Sequence, residues 1–192
     1  MVQQGENREA DRPQRAVLDN VLSEEDCGLL ISLARSLSVV GYRPGVASAT
    51  AFDVAACRPE LLLPLVSRQL LHGIPIGGAC NQPLAWHKLQ MAARERVREA
   101  VEEALGLALG LLVEFTGVIS WRPGGDIGWH HDANAAYLAQ RAFSAVCYLN
   151  TAGDDFCGGS FLFRLGQPQE VVPQPGRVVS RPACLPARPL CA

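Results

Sequence analysis

Trp121-Arg-Pro-Gly-Gly-Asp126-Ile-Gly-Trp-His130-His131-Asp132 is the stretch on which the reading of this 192-residue chain turns. Along a strand, residues two apart point to the same face, so His130 and Asp132 can converge on one ion while His131 points away. An imidazole and a carboxylate brought together in this way supply two legs of a facial triad that holds non-haem iron(II) and leaves positions open. Shifting the frame by one pairs His131 with Ala133, which has no ligand atom. Alone, a His-x-Asp pair is more often structural or solvated than metal-binding, so its surroundings decide its weight.

Those surroundings are a run of short strands. In Leu112 to Trp121, Val113, Phe115, Ile119 and Trp121 alternate with Glu114, Thr116 and Ser120, the pattern of a half-buried strand. Further strands are predicted at about Asp126 to Asp132, Phe143 to Leu149, Gly159 to Arg164, Glu170 to Val172 and Arg177 to Ser180, separated by glycine and proline turns. Upstream the rhythm is helical. Arg15 to Leu22 reads as a short apolar strand, and Ser23 with Asp26 has the form of a capping box opening a helix to about Leu37. Gly41 to Ser48 is turn-rich, and Ala49 to Leu65 fits strand or loop. Arg94 to Leu105 is a second amphipathic helix, with Val97, Ala100, Val101, Ala104 and Leu105 inward and Gly106 ending it. Helices followed by many short strands predict an α+β domain, a sandwich, jelly roll or barrel braced by helices.

Composition supports one globular domain. Hydrophobic residues make up 48% and charged residues 19%, and a net charge of -2 offers no electrostatic footing for nucleic acid or an anionic membrane. Positive charge is almost all arginine, with Lys88 the single lysine. Met1 to Arg15 is polar, and no apolar run is long enough to span a bilayer, so the expectation is a soluble intracellular protein, cytoplasmic or nuclear. Seven scattered cysteines with no C-x-x-C pair show neither a disulfide framework nor a zinc-finger spacing.

The ordered set W-H-H-D (129–132), A-V-C-Y-L-N (145–150), F-x-G-G-x-F-x-F (156–163) and P-x-P-G-R-V-V (173–179) resembles the iron(II)- and 2-oxoglutarate-dependent oxygenases. The likeness is to the branch with the prolyl and lysyl hydroxylases and the plant and algal proteins similar to them, and runs from about Arg15 to Val179. It implies a double-stranded β-helix, or jelly roll, with N-terminal supporting helices and iron at its mouth, and it carries the first two iron ligands onto His130 and Asp132. It also implies 2-oxoglutarate as co-substrate, ascorbate as reductant, and a protein or peptide substrate hydroxylated on a proline or similar side chain. Tyr148 sits on the strand expected to line the pocket, where its phenol could reach 2-oxoglutarate; a satisfied core tyrosine is the commoner reading.

The chain also departs from that pattern. The family carries a second histidine after the P-G-R-V-V strand and a basic residue beyond it for the far carboxylate of 2-oxoglutarate. Here no histidine follows His131. Arg181 and Arg188 are the available cations, but three prolines around them argue against a central strand. The predicted organisation is therefore a disordered start over 1–14, an oxygenase domain over 15–180 with a possible insertion at 67–93, and an irregular tail over 181–192 from which the closing strands are missing. His72, His87 and Cys80 in the insertion are candidate replacement ligands. The competing readings are a non-catalytic truncated oxygenase domain acting as a binding or regulatory partner, and a cupin-like metal binder indifferent to 2-oxoglutarate.

Overall fold

The computed structural model describes residues 15–37, 46–50, 83–107, 110–164 and 167–189. In chain order these form β1 (Ala16–Leu18), α1 (Glu24–Leu37), β2 (Val46–Thr50), α2 (Pro83–Leu105), β3 (Gly117–Trp121), a single 3-10 turn at Ala136–Leu138, β4 (Phe143–Cys147), β5 (Phe161–Phe163), β6 (Glu170–Val171), β7 (Val178–Pro182) and β8 (Ala187–Pro189). All strand pairings are antiparallel: β1-β7-β4, β2-β3 and β6-β5-β8. None of the helices among these residues is long and apolar enough to cross a membrane.

β7 organises the molecule because both of its faces are covered. Val178 packs with Val101 and Leu105 of α2, whereas Val179, one residue on and therefore on the opposite face, packs with Phe161, Phe163, Val171 and Ala187 of the β6-β5-β8 sheet. The result is three layers, with helices on one side of β1-β7-β4 and the second sheet on the other. A further cluster of Leu22, Cys27, Leu30, Leu33 and Ala93 joins α1 to α2.

Helix α1 starts where the capping signal places it. The Ser23 hydroxyl accepts from the Asp26 amide at 3.1 Å and donates to the Asp26 carboxylate at 2.8 Å, and that carboxylate also pairs with Arg96 of α2. Replacing the cap in Ser23→Ala is expected to cost about 1 kcal/mol, read as a shift in the denaturation midpoint at unchanged slope.

Several boundaries differ from those the sequence suggests. Helix α2 begins at Pro83, not Arg94, so the last eleven residues of the stretch read as an insertion are helical; proline at a first helical position costs no hydrogen bond. The rest of that stretch, 67–82, lies outside the described residues, as do the start over 1–14 and most of the Ala49 to Leu65 segment. β2 occupies Val46–Thr50, across the boundary between the turn-rich and mixed segments. β3 starts only at Gly117, since Leu111 to Thr116 form no ladder. The described part of the tail, 181–189, is not irregular. Arg181 and Pro182 extend β7, and Ala187–Pro189 pair with β5. The prolines are tolerated because Pro182 and Pro189 stand at strand ends, where a missing donor is cheapest.

Candidate active site

The segment before His130 is shaped by a side chain bonding its own backbone. Asp126 accepts from the Gly128 amide at 2.8 Å, and Gly128 takes φ 70°, a conformation open to glycine at no steric cost. Arg188 of β8 reaches the other oxygen of Asp126 at 2.7 Å. The chain then meets β8: the His130 amide donates to Ala187 at 3.0 Å and the Ala187 amide donates to His130 at 2.8 Å, an isolated antiparallel bridge. Residues 126 to 132 are thus held against β8 without forming the regular strand expected there.

His130 and Asp132 are brought together. His130 Nε2 lies 3.4 Å from Asp132 Oδ1, both half-buried, while His131 is exposed. His130 Nδ1 is 3.0 Å from the Gly128 carbonyl oxygen, which can only accept, so Nδ1 carries a proton and Nε2 faces the carboxylate. The hydrogen bond with Asp132 raises the imidazole above its ordinary value, against burial, which lowers it. The Asp132 amide is anchored on the Ala183 carbonyl at 2.8 Å.

The other oxygen of Asp132 is taken. Arg181, placed by β7 on the face it shares with Val179, donates from Nη2 to Asp132 Oδ2 at 2.7 Å and from Nη1 to the Leu185 carbonyl at 2.5 Å. Its side chain is only 3% exposed. Burial alone would raise the Asp132 carboxyl; hydrogen bonds from His130 and Ser144, with the charges of Arg181 and His130, reverse that and bring it from 3.8 to about 2. Burial lowers the value for Arg181 itself against the pull of Asp132, but a guanidinium keeps its charge under any physiological condition.

These shifts fix a pH dependence. A carboxyl depressed in the fold adds stability above its unfolded value, lost as pH falls toward 2; an imidazole raised in the fold adds stability below 6.5, lost as pH rises beyond its folded value. The site therefore supports the fold most between about pH 4 and pH 6.5. The stability advantage of wild type over Asp132→Asn is expected to shrink by about 2 kcal/mol between pH 5 and pH 2.5 in urea titrations. Parallel pH profiles for the two proteins would show that Asp132 is not the group responsible.

The donor set fits the iron centre of the family pattern only in part. Two ligand atoms 3.4 Å apart suit adjacent positions on one ion, and an imidazole whose far nitrogen bonds a carbonyl is the usual form of a metal-binding histidine. The remainder does not fit. The residue facing His130 across the bridge is Ala187, which is fully buried and has no donor atom, and Asp132 Oδ2 already holds a guanidinium. Among the described residues there is no group of three His, Cys, Asp or Glu side chains that could share an ion. His72, Cys80 and the side chain of His87 lie outside the described residues.

Tyr148 follows β4 and packs against the Phe161, Phe163 and Ala187 cluster, with its hydroxyl buried and lacking a hydrogen-bond partner. Burial raises this phenol well above its ordinary 10. The commoner reading, a satisfied core tyrosine, does not apply to this hydroxyl. Arg181, a cation the sequence offers for a co-substrate carboxylate, instead binds the carboxylate of Asp132. Its one available signal was the two-residue spacing from Val179, which puts it on the inward face of β7.

The chain shares its fold with three solved structures. The chain superimposes on a Pseudomonas putida prolyl-4-hydroxylase with a TM-score of 0.59 and 18% identity, over 95% of this chain and 88% of that one. It is similarly close to a viral collagen prolyl hydroxylase from Paramecium Bursaria Chlorella virus-1, solved as a 2-oxoglutarate complex (TM-score 0.59, 15% identity, 94% and 89% covered). A Burkholderia pseudomallei oxidoreductase of the 2OG-Fe(II) oxygenase family matches with a TM-score of 0.59 and 14% identity, over 96% and 79%. At these identities the likeness establishes a shared fold. No family model matches the sequence, and no curated protein matches it either.

Proposed function

We propose that this chain is an oxygenase domain of the prolyl hydroxylase type that keeps the scaffold and two of the three iron-binding donors, and that in this form it binds without turning over. The fold shared with two prolyl hydroxylases and a third oxygenase supports the class. The observation that carries the loss of turnover is the pairing of Asp132 with Arg181 opposite an alanine at position 187. The sheets β1-β7-β4 and β6-β5-β8 correspond, in this reading, to the two faces of a double-stranded β-helix, with His130 and Asp132 at its mouth. The segment recognised would be a peptide containing proline or a similar residue. Iron(II), 2-oxoglutarate and ascorbate would belong to the complete reaction, where metal and co-substrate would together supply the oxidising power. The chain's own residues supply the rest: Asp132 and His130 one edge of the pocket, and Tyr148 a buried phenol able to donate to a ligand carboxylate.

A working hydroxylase is the second reading, favoured by the close approach of His130 Nε2 to Asp132 Oδ1 and by the Gly128 carbonyl that orients the ring. One assay separates the two. Conversion of 2-oxoglutarate to succinate is measured with iron(II), ascorbate and a proline-rich peptide, on protein showing a cooperative melting transition. No succinate above a heat-denatured control is expected. Turnover that disappears in both His130→Ala and Asp132→Ala would establish the working enzyme instead.

A further inference from the structure

The site at His130 and Asp132 carries a positive charge of its own. Arg181 is nearly inaccessible to solvent, and its guanidinium is fixed by the Asp132 carboxylate at 2.7 Å, by the Leu185 carbonyl at 2.5 Å and by a position 5.9 Å above the Phe161 ring. A buried guanidinium persists only where it is paired and its donors are satisfied, and here the pairing partner is the one carboxylate facing His130. A divalent ion on Asp132 would have to sit beside this fixed cation, in a medium that screens poorly, with His130 as the one further ligand beside it among the described residues.

We infer that Arg181 is the resident counter-ion of this site, compensating Asp132 where a divalent metal would otherwise do so, and that this site is thereby closed to metal. The two cations repel across one carboxylate: Arg181 on Oδ2 weakens the hold of Oδ1 on an ion, and removing Arg181 leaves a half-buried carboxylate beside the His130 imidazole without its counter-charge. The inference rests on the reading of His130 and Asp132 as the family's ligand pair, but makes claims that can fail separately from it.

Cobalt(II) serves as the probe, followed by its visible absorption and by melting temperature. Wild type is expected to show no stoichiometric binding and no shift in melting. Arg181→Gln is expected to bind cobalt at least about tenfold more tightly, to lose that binding when His130→Ala is added, and to melt higher with the ion present. Stoichiometric, His130-dependent binding by wild type overturns the inference, as does a folded Arg181→Gln that binds no better than wild type. Should Arg181→Gln fail to fold, charge rescue decides: Asp132→Asn/Arg181→Gln, with both charges gone, is expected to recover a cooperative transition, and failure to recover overturns the assignment. Succinate formation by wild type would defeat the proposed loss of turnover. The rescue experiment does not depend on that result and tests the Arg181 pairing alone.

Discussion

Gly176→Ala is expected to cost about 4 kcal/mol, enough to bring a domain of ordinary stability close to unfolding at room temperature. Gly176 has φ 73°, and a Cβ added to it would overlap the backbone carbonyl of Leu22. Neither side of that contact can yield cheaply. The Val21 amide donates to Gly176 at 2.9 Å, and the Gly176 amide donates to Tyr148 at 2.9 Å, so this residue joins the turn after β1, the end of β4 and the entry to β7. Gly153→Ala is the control: its φ is 98°, but an added Cβ meets nothing within 4 Å, so only the backbone penalty of about 1–2 kcal/mol applies. Urea denaturation of both variants measures the difference. If Gly176→Ala costs no more than Gly153→Ala, the close approach of Leu22 is not what requires glycine.

Phe161→Ala is expected to cost about 3–5 kcal/mol and to loosen the site together with the core. Phe161 is 5% exposed, stands edge-on to Phe163 with ring centroids 5.2 Å apart, and is paired with Val171 on one side and Pro189 on the other. Its ring also underlies the Arg181 guanidinium. Truncation leaves a void at the junction of β6, β5 and β8, the place where β8 is fastened to the sheet. Since β8 holds His130 through the Ala187 bridge, the amides of Ala187 and His130 are expected to exchange hydrogen far faster in the variant. Melting gives the first quantity and amide exchange the second. Retained protection at Ala187 would mean that the bridge, and not Phe161, anchors β8.

The elements with the clearest local signals were legible from sequence. The Ser23 and Asp26 cap, the α1 face of Cys27, Leu30 and Ala34, and the short apolar runs of β4 and β7 are all encoded within a few residues of where they act. The meeting of His130 with Asp132 was legible from their spacing, although the segment is held by an isolated bridge and a glycine turn and not by a ladder. What escaped depends on contacts distant in sequence. Arg181 is held by a carboxylate 49 positions away, and β8 exists because β5 offers it an edge. The prolines around Arg181 and Arg188 argued against a central strand, yet Arg181 lies in β7, the middle strand of its sheet, and Arg188 in β8, because Pro182 and Pro189 fall at the strand ends. The beginning of α2 escaped for the opposite reason: its first eleven residues are apolar except for His87, Lys88 and Gln90, too few polar positions to mark a wet face.

The place of β7 in the sheet also sets an order of events during synthesis. Val179 joins Val17 on one side to Val146 on the other, so the middle strand of the sheet emerges after both of its neighbours. Until residues 178–182 have left the ribosome, β1 and β4 have nothing between them, and the apolar side chains destined to cover β7 stay open to other chains. Contacts spanning more than 150 residues must close in the last step, which predicts slow folding and a nascent chain dependent on chaperones for most of its translation.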